Sequence, residues 1–373
     1  MSASAGPPST VLDPYDGVVV VSFGGPERNQ DVMPFLQAVT AGRGVSQERL
    51  DEVAEHYYAR DGLSPINAEN RRLIAALDKQ LARRGAPLPV LWGNRFAAPT
   101  LADAMVQARE HGLRRLVAVV TSAYPSYSSC RVYRQEIEQA RRECPGAPQV
   151  DTIRRFANHP GFARTMAQLV IDAVQPLLCV HEPSAVRLVC VTHSIPITME
   201  ETSGPPEQPE RTYRRAHLEL LDAIRAEIAV RLQVNLSADL AYCSRSGPPG
   251  QPWLEPDIND HLEALARAGV SHVVLAPIGF VADHMEVVYD LDEQAMATAR
   301  GLGIELVRVP TVRADERFVA GLVDLIIERA EQARGGSPDQ PTWPTSQPWA
   351  AECPRGCCPP PTRPARPVVT PGA

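Results

Sequence analysis

Two polar clusters follow apolar stretches of this chain, and their residue types suit metal and proton chemistry. His193 lies in Thr192-His193-Ser194-Ile195-Pro196, directly after an apolar run. A second segment, Pro277-Ile278-Gly279-Phe280-Val281-Ala282-Asp283-His284-Met285-Glu286, also follows an apolar run and carries carboxylates. A neutral imidazole and a carboxylate are good ligands for a divalent transition metal and good proton acceptors. The two clusters predict a metal or proton site if the fold brings them together.

The apolar runs predict the elements that position these clusters. Four runs rich in Val, Ile or Leu are typical of buried parallel strands: 18–23, 116–121, 186–192 and 272–277. Helical apolar spacing marks 73–84, 101–110, 259–268 and 314–334. This alternation predicts an α/β fold. Because the order of features repeats, we expect two similar Rossmann-like lobes with parallel sheets, binding ligands beyond the carboxyl ends of the strands.

Changes in composition predict the domain boundaries. The lobes are expected at 15–155 and 156–305, followed by a helical segment at 306–334. Residues 1–14 are expected to be a disordered N-terminus. From 335 to 373 Pro, Ser, Thr and Gly dominate, so this tail with its cysteine cluster cannot bury enough apolar surface to fold alone.

Composition also excludes some classes of function. The net charge of -7 argues against nucleic acid as the main partner, because phosphate binding requires a basic surface. No window approaches the roughly 20 apolar residues of a membrane span. The N-terminus lacks the charged and apolar regions of a signal peptide, so a cytoplasmic location is expected.

The eight cysteines do not predict a disulfide framework, because cytoplasmic thiols stay reduced. Three lie in or beside apolar stretches and are interpreted as small core residues: Cys179, Cys190 and Cys243. Cys353, Cys357 and Cys358 lie within six residues of the tail, a spacing that suits an iron–sulfur cluster or zinc. The alternative is a disordered tail with free thiols.

Several motifs, in the same order, resemble the ferrochelatase family. They are Gly24-Gly25-Pro26, Asp61-Gly62-Leu63-Ser64-Pro65-Ile66, Asn94-Arg95 and the two clusters described above. The resemblance runs from about residue 17 to 334, and the cysteines extend it to about 360. It is closest to the actinobacterial type, which inserts ferrous iron into coproporphyrin III. The resemblance implies an iron-inserting enzyme with a porphyrin cleft between its lobes.

The resemblance also implies roles for individual residues of the two polar clusters. His193 is expected to accept a proton or bind iron, with Glu286 facing it across the porphyrin. A helix expected from 283 to 301 would place Glu286, Asp290 and Glu293 on one face, as a path for iron or protons. A solvated acidic stripe is the alternative. The family often has a further glutamate where this chain has Gln294, so Glu293 is expected to substitute for it.

Other residues are expected to hold the porphyrin. Ser64 can donate a hydrogen bond to a propionate, although it could instead cap the following helix. Tyr133 matches a family tyrosine that contacts a propionate, and His56 and Tyr57 are further candidates. Phe23 stands where some members carry a metal-ligating tyrosine, a contact that a phenyl ring cannot make.

The polar lip expected at 40–60 favours coproporphyrin III, with four propionates, over protoporphyrin IX. The alternatives are a protoporphyrin ferrochelatase, a cobalt or nickel chelatase, and a non-catalytic tetrapyrrole carrier or iron–sulfur sensor.

The resemblance further implies a monomer that passes coproheme to a decarboxylase. It also favours a [2Fe–2S] cluster on the three tail cysteines, with Cys130 as fourth ligand and Cys144 in reserve.

Overall fold

The computed structural model describes residues 10–42, 44–247, 250–344 and 347–360. Residues 1–9 of the expected disordered N-terminus and 361–373 of the tail lie outside the described residues. The expectation of disorder is wrong for residues 10–14, because the side chain of Leu12 is fully buried in the main hydrophobic core.

The first lobe is built on a four-stranded parallel sheet. Its strands are β1 (Gly17–Ser22), β2 (Val90–Asn94), β3 (Arg115–Val120) and β4 (Gln149–Thr152). They pair in the order β2-β1-β3-β4. Its helices are α1 (Asn29–Thr40), α2 (Gln47–Tyr58), α3 (Ile66–Arg83), α4 (Leu101–Glu110) and α5 (Val132–Glu143). A short π-helix, Tyr127–Arg131, precedes α5.

The second lobe repeats this plan. Its strands are β5 (Val186–His193), β6 (Ala238–Cys243), β7 (His272–Ala276) and β8 (Glu305–Arg308), in the order β6-β5-β7-β8. The helices are α6 (Pro160–Leu178), α7 (Ile197–Glu200), α8 (Tyr213–Leu232), α9 (Ile258–Arg267), α10 (Met285–Val287), α11 (Met296–Gly301) and α12 (Glu316–Ala333). A π-helix, Val288–Ala295, joins α10 to α11. The predicted α/β fold with two parallel sheets is confirmed.

The main core joins the two sheets. It runs from β1 and β3 through α6, α8 and α12 to β5 and β7, and it includes the aromatic cluster of Phe156, Phe162 and Phe318. Helix α12 packs on α6 and also on α3 and β3. Within the described residues, no helix has the length and apolar character needed to cross a bilayer.

Candidate active site

His193 is the last residue of β5, at the carboxyl edge of the second sheet. The Tyr213 hydroxyl accepts a hydrogen bond from Thr192 Oγ1 at 2.6 Å and donates one to the His193 carbonyl at 2.9 Å. The imidazole Nδ1 bonds to the Ser194 carbonyl. Because a carbonyl only accepts, Nδ1 carries the proton, and Nε2 keeps its lone pair for a metal or a second proton.

The loop after β7 approaches β5 closely enough to require a glycine. The Gly279 amide donates to the Val191 carbonyl at 3.2 Å. A Cβ at Gly279 would lie 2.5 Å from the Thr192 Cβ and closer still to its Oγ1. The missing side chain therefore lets this loop bring the second polar cluster to His193.

Glu286 lies beside His193. The distance between His193 Nε2 and Glu286 Oε2 is 3.6 Å, and His284 Nδ1 lies 3.8 Å from the same carboxylate oxygen. The expectation that His193 and Glu286 face each other across the porphyrin is wrong for this arrangement. A flat ring needs about 3.5 Å on each of its faces, which a 3.6 Å gap cannot provide. No flat ring therefore fits between the two groups in this arrangement.

The ionisable groups of the site have pKa values that are shifted in different directions. Burial lowers the pKa of His193, but the Glu286 carboxylate, the Ser194 carbonyl and the Asp290 charge together outweigh it, and the net shift is upward. Burial lowers the pKa of His284. Burial and the Glu286 charge raise the pKa of Asp290 to about 6, against a hydrogen bond from Ser244. Asp290 can therefore exchange protons near neutral pH.

The acidic segment is not one α-helix. The expected helix at 283–301 is instead α10, the π-helix and α11, so the assumed α-helical spacing fails. The turn of a π-helix is wider than that of an α-helix, so the carboxylates are not aligned as predicted and each has a different partner. Asp290 accepts a hydrogen bond from the Ser244 hydroxyl, and Glu293 forms a 2.6 Å ion pair with Arg60 of the lip. The three carboxylates therefore do not form one even stripe, although Glu286 and Glu293 are 50% and 40% exposed, so the alternative of a solvated surface stays open for these two.

The lip helices pack against the π-helix. The His56 ring stacks on Tyr289 with centroids 3.6 Å apart, so His56 joins the lip to the acidic segment. Tyr57 is buried, and its pKa is raised by burial and by the charges of Glu286 and Asp290. The exposed face of the lip carries polar side chains: Gln47, Glu48, Arg49, Asp51, Glu52 and Glu55. Arg43 lies outside the described residues.

Comparison with known proteins identifies the family. A model of the family Ferrochelatase matches residues 15–330. The chain belongs to the ferrochelatase family. It is 45% identical to the coproporphyrin III ferrochelatase of Leifsonia xyli subsp. xyli, covering 95% of this chain and 94% of the relative. It is 46% identical to the coproporphyrin III ferrochelatase of Streptomyces coelicolor, covering 94% and 95%. It is also similar to the solved structure of SirB from Bacillus subtilis with Fe3+, at 10% identity and a TM-score of 0.48, covering 86% of this chain and 97% of that one.

Two of the residues expected to bind porphyrin in this ferrochelatase are buried. Ser64 is 3% exposed, and α3 has Pro65 as its N-cap without a side-chain bond, so the helix-capping alternative is wrong. Tyr133 is 5% exposed and lies under the Arg95 guanidinium, 4.8 Å from its ring centroid. Phe23 packs against other aromatic rings. Propionate binding by Ser64 and Tyr133 stays a prediction.

Four thiols meet where the tail crosses the first lobe. Cys130 Sγ and Cys357 Sγ each lie 3.7 Å from Cys358 Sγ, and Cys353 packs beside them. Hydrogen bonds from Cys353 and Cys358 hold the pKa of Cys130 well below its usual range. The Gly204 amide donates to Cys358 Sγ at 3.2 Å.

The other cysteines lie elsewhere. Cys144 is buried in the core between α4, α5 and β3, in a cluster separate from the four thiols. Cys190 and Cys243 are buried, as predicted, but Cys179 is exposed. It follows the end of α6, where the apolar pattern of the helix no longer determines burial.

The tail is held by polar contacts to both lobes. Arg154 donates to the Pro341 carbonyl at 2.9 Å, and Asn158 donates to the Gln347 carbonyl at 2.7 Å. The Trp349 ring is 5% exposed and lies 3.9 Å from the Arg211 guanidinium. The described part of the tail is therefore an ordered strap that places its cysteines beside Cys130, although it has no regular secondary structure.

Sequence reasoning missed several residues that shape the site. Ser244 bonds Asp290, Arg60 pairs with Glu293, and Tyr213 fixes the end of β5. Each is distant in the sequence from its partner, so no local pattern could have paired them. Ser244 follows a short apolar run and has a positive φ of 61°, and its position after a strand is the one signal that could have drawn notice.

Proposed function

We propose that this protein inserts Fe²⁺ into coproporphyrin III and forms coproheme. The observation that carries the proposal is the 3.6 Å separation of His193 Nε2 and Glu286 Oε2 at the carboxyl edge of the second sheet. Membership of the ferrochelatase family supports iron insertion, and the two relatives named above support the choice of porphyrin.

The first step is delivery of the substrate iron. Nitrogen and oxygen ligands bound at about 2.0–2.2 Å to one tetrahedral metal lie roughly 3.3–3.5 Å apart, close to the observed separation. His193 and Glu286 can therefore hold one Fe²⁺ ion with little movement. Both ligands lie on the same side of the cleft, so the ion reaches the macrocycle from that side.

The second step is removal of two protons. Fe²⁺ replaces two pyrrole N–H protons, so the charge of the macrocycle core is unchanged when both protons leave. As iron leaves His193 Nε2 for the macrocycle, the freed lone pair accepts one of the two protons, and the Glu286 carboxylate, 3.6 Å from that nitrogen, accepts the other. Asp290, with its pKa of about 6, can pass protons outward toward Glu293 and Arg60 at the lip.

The polar lip favours a porphyrin with many carboxylates. The exposed charged residues of α2 are mostly acidic, with Arg49 as the basic residue among Glu48, Asp51, Glu52 and Glu55. A lip of this kind keeps its hydration beside four propionates, whereas a more apolar porphyrin would gain by an apolar lip. This supports coproporphyrin III over protoporphyrin IX.

An anaerobic assay with Fe²⁺ and each porphyrin tests the proposal. We expect conversion of coproporphyrin III to the coproheme spectrum, faster than conversion of protoporphyrin IX. His193→Ala should reduce insertion by at least about 10²-fold, the usual contribution of a proton acceptor. His111→Ala, at the exposed end of α4, is the matched control and should not change the rate. Binding of coproporphyrin without conversion would instead indicate a carrier.

We also propose that the four thiols hold a [2Fe–2S] cluster. Thiolates at about 2.3 Å from a shared tetrahedral metal lie roughly 3.8 Å apart, which fits the 3.7 Å separations. The four thiols supply the ligands of an iron–sulfur cluster, in which each iron takes two of them, so Cys358 would keep one of its 3.7 Å neighbours and separate from the other, whereas a single zinc ion would keep both. A bound cluster would supply one-electron redox chemistry and a cross-link between the strap and Cys130.

Metal, sulfide and absorption analysis distinguishes these occupants. Anaerobically purified protein should contain iron and sulfide in equal amounts and show visible absorption. Cys353→Ser should lose both, whereas the matched Cys144→Ser variant should keep them. Zinc without sulfide would identify the alternative occupant, and an unchanged spectrum in Cys353→Ser would reject the cluster.

Three expectations about cellular context belong to the same proposal. We expect a monomer in the cytoplasm that passes coproheme to a decarboxylase. Size-exclusion chromatography with light scattering measures the first. Transfer of freshly made coproheme to a purified decarboxylase, compared with release into solution, tests the last.

A further inference from the structure

We propose a second divalent-metal site, formed by His181, His272 and Glu305, at the edge of the second sheet opposite the one that carries His193. One ligand atom from each residue can be chosen so that all three lie within 4.8 Å of one another. His272 begins β7, Glu305 begins β8, and His181 lies just beyond the C-terminus of α6. The inference is independent of iron insertion.

The three side chains converge without a regular sequence motif. His272 Nε2 lies 3.5 Å from Glu305 Oε2, close to the roughly 3.3–3.4 Å expected for ligands on one tetrahedral metal. The pairing of β7 with β8 places these two residues side by side, because His272 and Glu305 are register partners. The His181 amide donates to the Leu177 carbonyl at 2.9 Å and so holds the third residue at the end of α6.

A neighbouring hydroxyl prepares His272 for metal binding. Ser271 Oγ lies 2.9 Å from His272 Nδ1. When Nδ1–H donates to this hydroxyl, the lone pair of Nε2 points toward Glu305. Metal-binding histidines commonly have such a partner on the other ring nitrogen, which fixes the tautomer and the ring orientation.

The donor set selects the class of metal. Two imidazoles and one carboxylate suit zinc and related transition metals. They bind magnesium and calcium poorly, because these ions prefer oxygen ligands. The Glu305 side chain is 63% exposed, whereas that of His272 is 13% exposed. A metal would therefore be held from the protein side and completed by water on the open side, as in three-ligand zinc sites.

This site is separate from the candidate active site. The polar loop that carries Glu286 follows the carboxyl end of β7, whereas His272 is its first residue. A five-residue strand spans about 16 Å, so both sites can be occupied at once. The second site would join the α6–β5 connection to the starts of β7 and β8.

Metal binding requires one local rearrangement. The His181 and His272 rings are in contact, with centroids 3.7 Å apart and planes 33° apart. Two imidazoles on one tetrahedral metal have centroids about 5 Å apart, given metal–nitrogen bonds of about 2.0 Å. The His181 side chain must therefore rotate away from its partner, which its position in a surface turn allows.

Calorimetric titration of the full-length protein with Zn²⁺ tests the proposal. Because zinc also has access to His193 and to the thiols, the titration uses His193→Ala protein whose thiol site is already loaded. We expect one remaining site, no comparable Mg²⁺ binding, and a Zn²⁺-dependent rise in Tm of a few degrees. His272→Ala added to this protein should weaken the site at least about tenfold and abolish the rise in Tm.

Two further variants separate ligation from folding defects. Glu305→Gln changes an exposed side chain, so it should fold normally and still lose at least about tenfold in Zn²⁺ affinity. The matched control is His261→Ala, which removes a histidine paired at 3.2 Å with Asp239 and should leave the titration unchanged. Equal Zn²⁺ affinity and stoichiometry in the parent, His272→Ala and Glu305→Gln proteins would overturn the proposal.

Discussion

Replacing Gly279 by alanine should displace His193 without changing any catalytic side chain. The added Cβ would lie 2.5 Å from the Thr192 Cβ and 2.8 Å from its Cα, whereas ordinary contacts begin at 3.4 Å. The end of β5 and the loop must therefore separate by about 1 Å, and His193 is the next residue after Thr192. Misplacement of a catalytic group by about 1 Å can cost about 10²-fold in rate, and overpacking costs about 1–3 kcal/mol of stability.

The assay compares iron insertion with folding. We expect kcat for coproporphyrin III to fall by about 10²-fold in Gly279→Ala while circular dichroism shows a folded protein with a lowered Tm. Gly301→Ala is the matched control, because a Cβ there meets nothing within 4 Å and the backbone is helical. A folded Gly279→Ala protein with the parental kcat would refute the reasoning that close approach of this loop positions His193.

Three other substitutions test separate parts of the structure. In Glu286→Gln the charge that opposes burial is lost, so the pKa of His193 should fall and the acid limb of the residual rate should move to lower pH. Arg154→Ala should cost about 3–5 kcal/mol in urea unfolding, because it leaves the buried Glu328 carboxylate without its 2.8 Å ion-pair partner. Trp349→Ala should cost about 3–5 kcal/mol and lower the metal content of the thiol site, because the strap loses its buried anchor.

Exposed positions provide the controls for these stability measurements. Arg83 pairs with Glu316 at 3.7 Å with both side chains largely exposed, so Arg83→Ala should cost less than about 1 kcal/mol. Val230 is 69% exposed, and Val230→Ala should change stability by no more than about 0.5 kcal/mol. If Arg154→Ala and Arg83→Ala lowered the free energy of unfolding equally, the buried ion pair would not contribute the expected stability. An acid limb that stayed in place in Glu286→Gln would contradict the electrostatic account of His193.

The predicted strands are the inner strands of the two sheets. β1, β3, β5 and β7 have neighbours on both sides, and their residues are almost all buried, so the sequence shows continuous apolar runs. The four edge strands were not predicted. β4 and β8 read Gln-Val-Asp-Thr and Glu-Leu-Val-Arg and contain no fully buried residue. Edge strands are defined by their pairing with an inner strand, which short polar segments do not reveal.

The residue types of the active site were readable, but their arrangement was not. His193 and the 277–286 segment were located because they lie at or directly after the carboxyl ends of inner strands. The distance between His193 and Glu286 depends on the loop contact at Gly279, and the π-helix changes the spacing of Asp290 and Glu293. Neither feature has a clear local sequence signal, so the expected placement of Glu286 rested on the family resemblance, and its 3.6 Å separation from His193 contradicts that placement.

The thiol site has a consequence for the order of events during synthesis. Cys130 and Cys358 are 228 residues apart, so the first thiol leaves the ribosome long before the last. At about 5–20 residues per second, the delay is roughly 10–50 s. For that period Cys130 is available without its tail partners. The tail can complete the site only after both lobes have been translated, so a filled thiol site would mark a chain that has been synthesised at least as far as Cys358.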